Sequence, residues 1–215
     1  MIRLTLINPN TNAATTQAML AIARYTASDK AVLDGLTARF GQPLICNEVA
    51  LRGAAEAVLA LAPQIQRSRP AGVIIAAFGD PGHFQLSQLL ACPVVGIAQA
   101  GMAEAAHQGR RFSVVTTTPD LVHAILQTAH RYGLASQCKG VRLTNGDPLK
   151  LMADPAALEA AMLFACQQAV DEDGAEAIVI GGGPLANVAR VLAQRLKIPI
   201  VEPVPAAVRM VLAQI

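Results

Sequence analysis

Short runs of β-branched and other apolar residues alternate along this chain with longer Ala/Leu-rich stretches whose apolar positions recur at helical spacing. The runs 2–7, 73–77, 94–97, 112–116, 177–180 and 198–201 read as strands, with a further strand expected ahead of the loop that carries Cys46. The segments 54–65 and 158–170 read as helices. Helix starts are signalled at Pro119-Asp120, at Asp154-Pro155 and at Pro203 to Pro205, because proline presets φ in a first turn where its missing N–H costs nothing. Strand and helix in alternation predict parallel sheet and an α/β fold.

The pattern also repeats. Val73-Ile-Ile-Ala-Ala77 is followed sixteen residues later by Pro93-Val-Val-Gly-Ile97, and Ile178-Val-Ile-Gly-Gly182 is followed seventeen later by Pro199-Ile-Val-Glu-Pro203. Upstream of each stands a strand that ends in small polar residues, Asn8 and Asn10 in one half and Thr116 and Thr117 in the other. Two pseudo-symmetric parallel-sheet lobes are the simplest reading. Ligands of parallel sheets sit beyond the carboxyl ends of the strands. The active site is therefore expected in the cleft between the lobes, with Ala77 and Gly182 on opposite walls.

Composition narrows the classes. Of 215 residues, 53% are hydrophobic and 15% charged, which is enough apolar surface for a full core. The net charge of +2 comes without any run of Lys or Arg, so neither nucleic acid nor a membrane surface is an expected partner. No apolar stretch reaches a membrane span, and Met1-Ile-Arg-Leu leads into a strand instead of a signal peptide; a cytoplasmic location is expected. Cys46, Cys92, Cys138 and Cys166 are widely spaced with no His at ligand spacing, so they read as small hydrophobes and no metal is expected. Gly181-Gly-Gly183 lacks the Gly-x-Gly-x-x-Gly spacing and the turn from Asn8 to Asn12 has no glycine; a nucleotide cofactor is not expected.

Five segments carry a family resemblance: Ile7-Asn-Pro-Asn-Thr-Asn12, Gly72-Val-Ile-Ile-Ala-Ala-Phe-Gly-Asp-Pro-Gly82, Phe112-Ser-Val-Val-Thr-Thr117, Arg131-Tyr-Gly-Leu-Ala-Ser136 and Glu176-Ala-Ile-Val-Ile-Gly-Gly-Gly-Pro184. In this order they resemble the aspartate/glutamate/hydantoin racemase superfamily, in its hydantoin racemase-like branch. The resemblance implies a two-lobed fold, no cofactor, a homo-oligomer and a small carboxylate or ureide substrate. It implies that the last helix packs back on the first lobe, giving lobes of 1–98 plus 203–215 and 99–202. It also implies a catalytic cysteine at the start of each glycine-rich turn, where this chain has Ala77 and Gly182.

The remaining residues keep two readings each. The N–H groups of Phe78, Gly79, Gly182 and Gly183, with Pro184 closing the second turn, can cradle an anion, or the glycines can simply permit the turns. Asn8, Asn10, Thr116 and Thr117 can hydrogen-bond an uncharged polar ligand, or cap and close turns; the resemblance favours a substrate contact at Asn10, and a loop-holding role for Asp80. His83, in a first helical turn, is a candidate acid or base or a capping side chain. Glu202, at a strand end where the first lobe has Gly96, is a candidate base or an ordinary surface residue. Cys46 is the one cysteine in a loop beyond a strand's carboxyl end and could replace a missing thiol.

Three activities fit. The first is a cofactor-independent racemase or isomerase working beside a carbonyl in a small amino-acid derivative, carboxylate or cyclic ureide of hydantoin or allantoin type, with a non-cysteine acid/base or as a cysteine-less variant. The second is a related lyase or decarboxylase that holds an enolate in backbone cradles. The third is a binding protein without turnover.

Overall fold

A computed structural model describes residues 1–182 and 185–215. The chain divides into two compact units, Met1–Ala100 with Val204–Ile215, and Gly101–Pro203. The first holds strands β1 (Ile2–Asn8), β2 (Ala31–Thr37), β3 (Gly72–Ile75) and β4 (Val94–Gly96), and the second β5 (Phe112–Thr116), β6 (Cys138–Leu143), β7 (Ala177–Ile180) and β8 (Ile200–Val201). Their orders are β2-β1-β3-β4 and β6-β5-β7-β8, and every pairing is parallel. The two sheets thus share one plan, as the sequence repeat anticipates.

The inner strands are the ones that read as unbroken apolar runs, because both of their faces are covered. Leu4, Leu6, Ile7, Val73, Ile74, Ile75, Val114, Val115, Ile178, Val179 and Ile180 are all fully buried. Truncating one of these, Leu6 to alanine for instance, costs about 2–5 kcal/mol. Two of the edge strands are mixed: Asp34 and Gly35 interrupt β2, and Lys139, Gly140 and Arg142 interrupt β6. A register irregularity between Phe112 and Ser113 goes with Gly140 at φ +139.

Helices close each crossover: α1 (Ala13–Ala27), α2 (Glu48–Leu59), α3 (Ala62–Ser68), α4 (His83–Leu89), α5 (Ile97–Ala105), α6 (Val122–Arg131), α7 (Pro148–Ala153), α8 (Pro155–Asp171), α9 (Ala186–Arg195) and α10 (Pro203–Leu212). The division into units falls inside α5. Asn12 caps α1 by accepting from the N–H groups of Ala14 and Thr15, and Asp154 caps α8 in the same way through Ala156 and Ala157. The single helix expected over 54–65 is two, since α2 ends at Leu59 and α3 restarts with Pro63 in its first turn. Proline has no N–H for the carbonyl four residues back, and its ring crowds that carbonyl. α10 lies on β3: a Cβ at Gly72 would come within 2.5 Å of Val211 Cγ2, so the glycine admits the helix.

An ion-pair cluster ties the edge of the second sheet to the end of α8. Arg142 Nε and Nη2 donate to the two carboxylate oxygens of Asp173 at 2.6 Å each, and Nη2 lies 2.8 Å from Glu172 Oε2. The Arg142 guanidinium holds the Asp173 carboxyl below its ordinary value of 3.8. A carboxylate with a lowered folded pKa contributes stability above its unfolded pKa and loses it as pH falls through the folded one. Arg142→Leu is therefore expected to destabilise the protein by about 1 kcal/mol near neutral pH, a modest figure because both side chains are partly exposed. Urea titrations at several pH values should show this gap constant from pH 6 to 7, narrowing as pH approaches 3.8 and closing below it.

Candidate functional site

At the carboxyl end of β1 the chain turns sharply, and the turn is built around one amide. Asn8, 1% exposed, donates from Nδ2 to Asn10 Oδ1 (2.8 Å), to the Asn12 carbonyl (3.0 Å) and to Thr16 Oγ1 (3.0 Å). Its Oδ1 accepts the Asn10 N–H at 3.1 Å. Asn10 Oδ1 accepts a second bond from the Asn12 N–H at 2.9 Å. A backbone N–H can only donate, so both side-chain oxygens are identified by their partners. The Asn10 Nδ2 group makes no hydrogen bond among the described residues. Asn8 is thus a structural hub, whereas Asn10 is both a turn-closer and a presented donor.

β3 lies beside β1 in a register that pairs Ile7 with Ile75, and the Ala76 N–H donates to the Ile7 carbonyl at 2.8 Å. The turn from Ala77 to Asp80 therefore emerges next to Asn8–Asn12. Gly79 (φ +106) and Asp80 (φ +51) are left-handed, a conformation that glycine accepts freely and aspartate better than most residues. The Asp80 N–H closes the turn on the Ala77 carbonyl at 3.0 Å. The N–H groups of Ala77, Phe78 and Gly79 make no hydrogen bond among the described residues, although Phe78 is only 7% exposed. Successive N–H groups in such a turn form a concave nest for an anion or a partial negative charge.

Other candidates of this unit have visible partners. Asp80, 2% exposed, spends its carboxylate on the N–H groups of Ala98 (2.9 Å) and Gln99 (2.7 Å) at the start of α5. His83 Nε2 lies 2.9 Å from the Val94 carbonyl, so the ring is tied to the beginning of β4. Cys46 is exposed in the loop after β2, against the expectation of buried cysteines; its sulfur lies 3.9 Å from Asn47 Nδ2. A loop residue just ahead of the α2 cap has no core to enter.

In the second unit the equivalent strand ends are lined by hydroxyls. Thr116, 1% exposed, donates from Oγ1 to the Gly181 carbonyl at 2.8 Å and pairs with Thr118 Oγ1 at 3.0 Å, so it closes the sheet end. Thr117 is 7% exposed beside it. Thr144 was not among the residues read from the sequence: its N–H donates to the Thr116 carbonyl at 3.1 Å, while its buried Oγ1 has no hydrogen-bond partner among the described residues. The signal for it, a threonine at a strand's carboxyl end as at Thr117, was hidden by the polar edge strand β6.

Gly181 has no room for a side chain, since a Cβ would lie 2.8 Å from Val114 Cγ1. At Gly182 a Cβ would meet, among the described residues, Leu185 at 3.4 Å, which is ordinary contact. The Gly182 N–H is spent on the Ile180 carbonyl at 3.0 Å, so it is not the free cradle donor expected of it. Gly183 and Pro184 lie outside the described residues. Glu202 directly follows β8, and its Oε2 lies 3.6 Å from Arg190 Nε.

No three His, Cys, Asp or Glu side chains converge as metal ligands among the described residues, and no helix among them is long and apolar enough to cross a membrane. Burial pushes the Cys166 thiol up to about 12 and raises Cys92 and Cys138, so these three are protonated near neutral pH. The described turns thus offer amide donors and hydroxyls and carry no thiol.

The geometry has close counterparts. The chain is 33% identical to an allantoin racemase from Klebsiella pneumoniae, with a TM-score of 0.92 over 99% of this chain and 87% of that one. It is 28% identical to a hydantoin racemase from Paenarthrobacter aurescens over 96% of this chain and 88% of the relative. It is 36% identical to a hydantoin racemase from Rhizobium meliloti over 68% and 62%. The Asp/Glu/Hydantoin racemase profile matches residues 4–211. With the profile matched over nearly its whole length and a fold shared at that TM-score, the chain belongs to the Asp/Glu/hydantoin racemase family.

Proposed function

We propose that this protein is a cofactor-independent racemase of a cyclic ureide of the hydantoin or allantoin type, acting at the carbon next to a carbonyl. The observation that carries the reading is the set of donors at the carboxyl ends of β1 and β3: Asn10 Nδ2 and the N–H groups of Ala77, Phe78 and Gly79. All four are donors, so they suit a carbonyl oxygen. They suit it better once the neighbouring proton leaves and the oxygen becomes an enolate, which lowers the barrier without a metal or organic cofactor. Asp80, the carboxylate of this turn, is occupied by backbone N–H groups. An uncharged ring nitrogen therefore fits here better than an ammonium group. The named activities of the relatives support the same substrate class.

Racemisation also needs a proton removed from one face and returned to the other. The side chains that can carry it are Glu202, Cys46 and, once its bond to Val94 is released, His83. The resemblance puts thiols at positions 77 and 182; Ala77 is half-buried, and among the described residues a Cβ at Gly182 meets Leu185 in ordinary contact. A lyase is the second reading, favoured by the same donors together with alanine at 77, since a cradle that holds an enolate also serves loss of carbon dioxide from a malonate.

Purified protein in deuterium oxide with enantiopure allantoin and 5-methylhydantoin is expected to exchange the hydrogen on the chiral carbon and lose optical rotation. A product from phenylmalonate without exchange would instead select the lyase, and neither event would leave a binding protein. Ala77→Cys combined with Gly182→Cys is expected to raise the racemisation rate at least tenfold, in line with the 10²–10⁴ typical of positioned acid/base groups. Asn10→Asp keeps the two hydrogen bonds accepted by Oδ1 and removes the presented donor. It is expected to fold with a Tm within a few degrees of wild type and to lose at least tenfold in kcat/KM, about 1.4 kcal/mol. Asn10→Ala is expected to lose both stability and turnover, by calorimetry and polarimetry.

A further inference from the structure

We infer that Asp80 is a positioning residue for the donor turn, and that Gly96 is the residue that lets it work. The inference rests on the function proposed above, and it concerns a contact far from the turn in sequence. α5 begins directly after Gly96, which has no side chain to cap the first N–H groups of that helix. Asp80 supplies the cap from the neighbouring strand's turn: Oδ1 accepts the Ala98 N–H at 2.9 Å and Oδ2 the Gln99 N–H at 2.7 Å. Gln99 completes the arrangement by accepting the Gly96 N–H on Oε1 at 3.3 Å. Two of the helix's unpaired donors and one strand-end N–H are satisfied at a single station.

The carboxylate reaches that station because position 96 is empty. A Cβ built on Gly96 would overlap the Asp80 carboxyl carbon and both of its oxygens. Asp80 in turn holds φ +51, a left-handed conformation that a non-glycine residue keeps only when its surroundings enforce it. Its N–H and carbonyl are both engaged, with Ala77 and His83 respectively. One residue therefore grips the turn from inside, through its backbone, and anchors it to α5 through its side chain. The N–H groups of Ala77, Phe78 and Gly79, which lie between these two grips, have their directions set by them. The other unit makes the opposite choice: Leu185 stands at the place of Asp80 in the repeat, and Glu202 at the place of Gly96. In the repeat the acidic residue thus stands in the turn in one unit and at the strand end in the other.

Three variants separate positioning from folding. Asp80→Asn keeps the size and tolerates φ +51 but sets an NH₂ against one of the two helix N–H groups. Gly96→Ala leaves the aspartate in the chain and evicts it from the cap. Asp80→Gly relieves the backbone and removes the carboxylate. At a temperature where each is fully folded by circular dichroism, Asp80→Asn and Gly96→Ala are expected to lower kcat on allantoin or 5-methylhydantoin at least tenfold, with KM changed less than threefold. Gly96→Ala in the Asp80→Gly background is expected to cost nothing further, because the two substitutions remove one interaction. Wild-type kcat and KM in a folded Asp80→Asn protein, with the Ala98 and Gln99 amide resonances shifted, would overturn the proposal and leave Asp80 a purely structural cap. If the wild-type protein turns over neither compound, the racemase reading fails by itself. Hydrogen exchange of the Ala77, Phe78 and Gly79 amides then decides the positioning claim: at least tenfold faster exchange in Asp80→Asn supports it, and unchanged exchange overturns it.

Discussion

Strand β3 stops pairing at Ile75 and helix α4 does not begin until His83, so the chain between them must satisfy its backbone by other means. Among the described residues it does so for Ala76 and Asp80 and leaves the N–H groups of Ala77, Phe78, Gly79 and Gly82 without an acceptor. Buried N–H groups are seldom orphaned, because each costs about as much as a lost hydrogen bond. Three in succession, at Ala77, Phe78 and Gly79, next to an asparagine whose NH₂ makes no hydrogen bond among the described residues, represent a standing demand for an oxygen. The surrounding structure serves to keep that demand in place. Asn8 fixes Asn10, Asp80 fixes the turn, Gly96 makes room for Asp80, and Gly79 supplies the left-handed residue that the turn requires.

The two units show how one architecture can be furnished for different work. Their strand orders are the same, and both carry small polar groups and glycines at the carboxyl ends of the strands. In the first unit these groups are amides that donate. In the second they are threonine hydroxyls, Thr117 and Thr144 among them, which can do either. Gly181 remains a glycine because Val114 and Thr116 crowd it, whereas at Gly182 the described residues leave a Cβ in ordinary contact with Leu185.

Much of the architecture was legible in the sequence. β5 and β7 run over the residues that their apolar runs mark, and β1 and β3 nearly so, since an inner parallel strand is apolar on both faces. The edge strands β2 and β6 were harder to read than β4 and β8, because Asp34, Lys139 and Arg142 face solvent or an ion pair and break the run; Thr144 was missed for the same reason. The break between α2 and α3 follows from Pro63, a local signal that the helical spacing of 54–65 masked. The site was legible as a set of turns but not as a set of roles. That Asn8 is a hub and Asn10 a donor depends on which amide oxygen meets which N–H. That Asp80 caps a helix eighteen residues further on depends on strand pairing. Neither is a property of a segment, so no motif carries it.

The central claim is that the donors at the ends of β1 and β3 receive the oxygen of a small ureide. The most direct test is a titration of ¹⁵N-labelled protein with 5-methylhydantoin, followed by amide chemical shifts. The account predicts that the largest changes fall on the backbone amides of Ala77, Phe78 and Gly79 and on the side-chain NH₂ of Asn10, with Asn8 little moved. Saturable binding that leaves those four groups unshifted and moves residues elsewhere would contradict it.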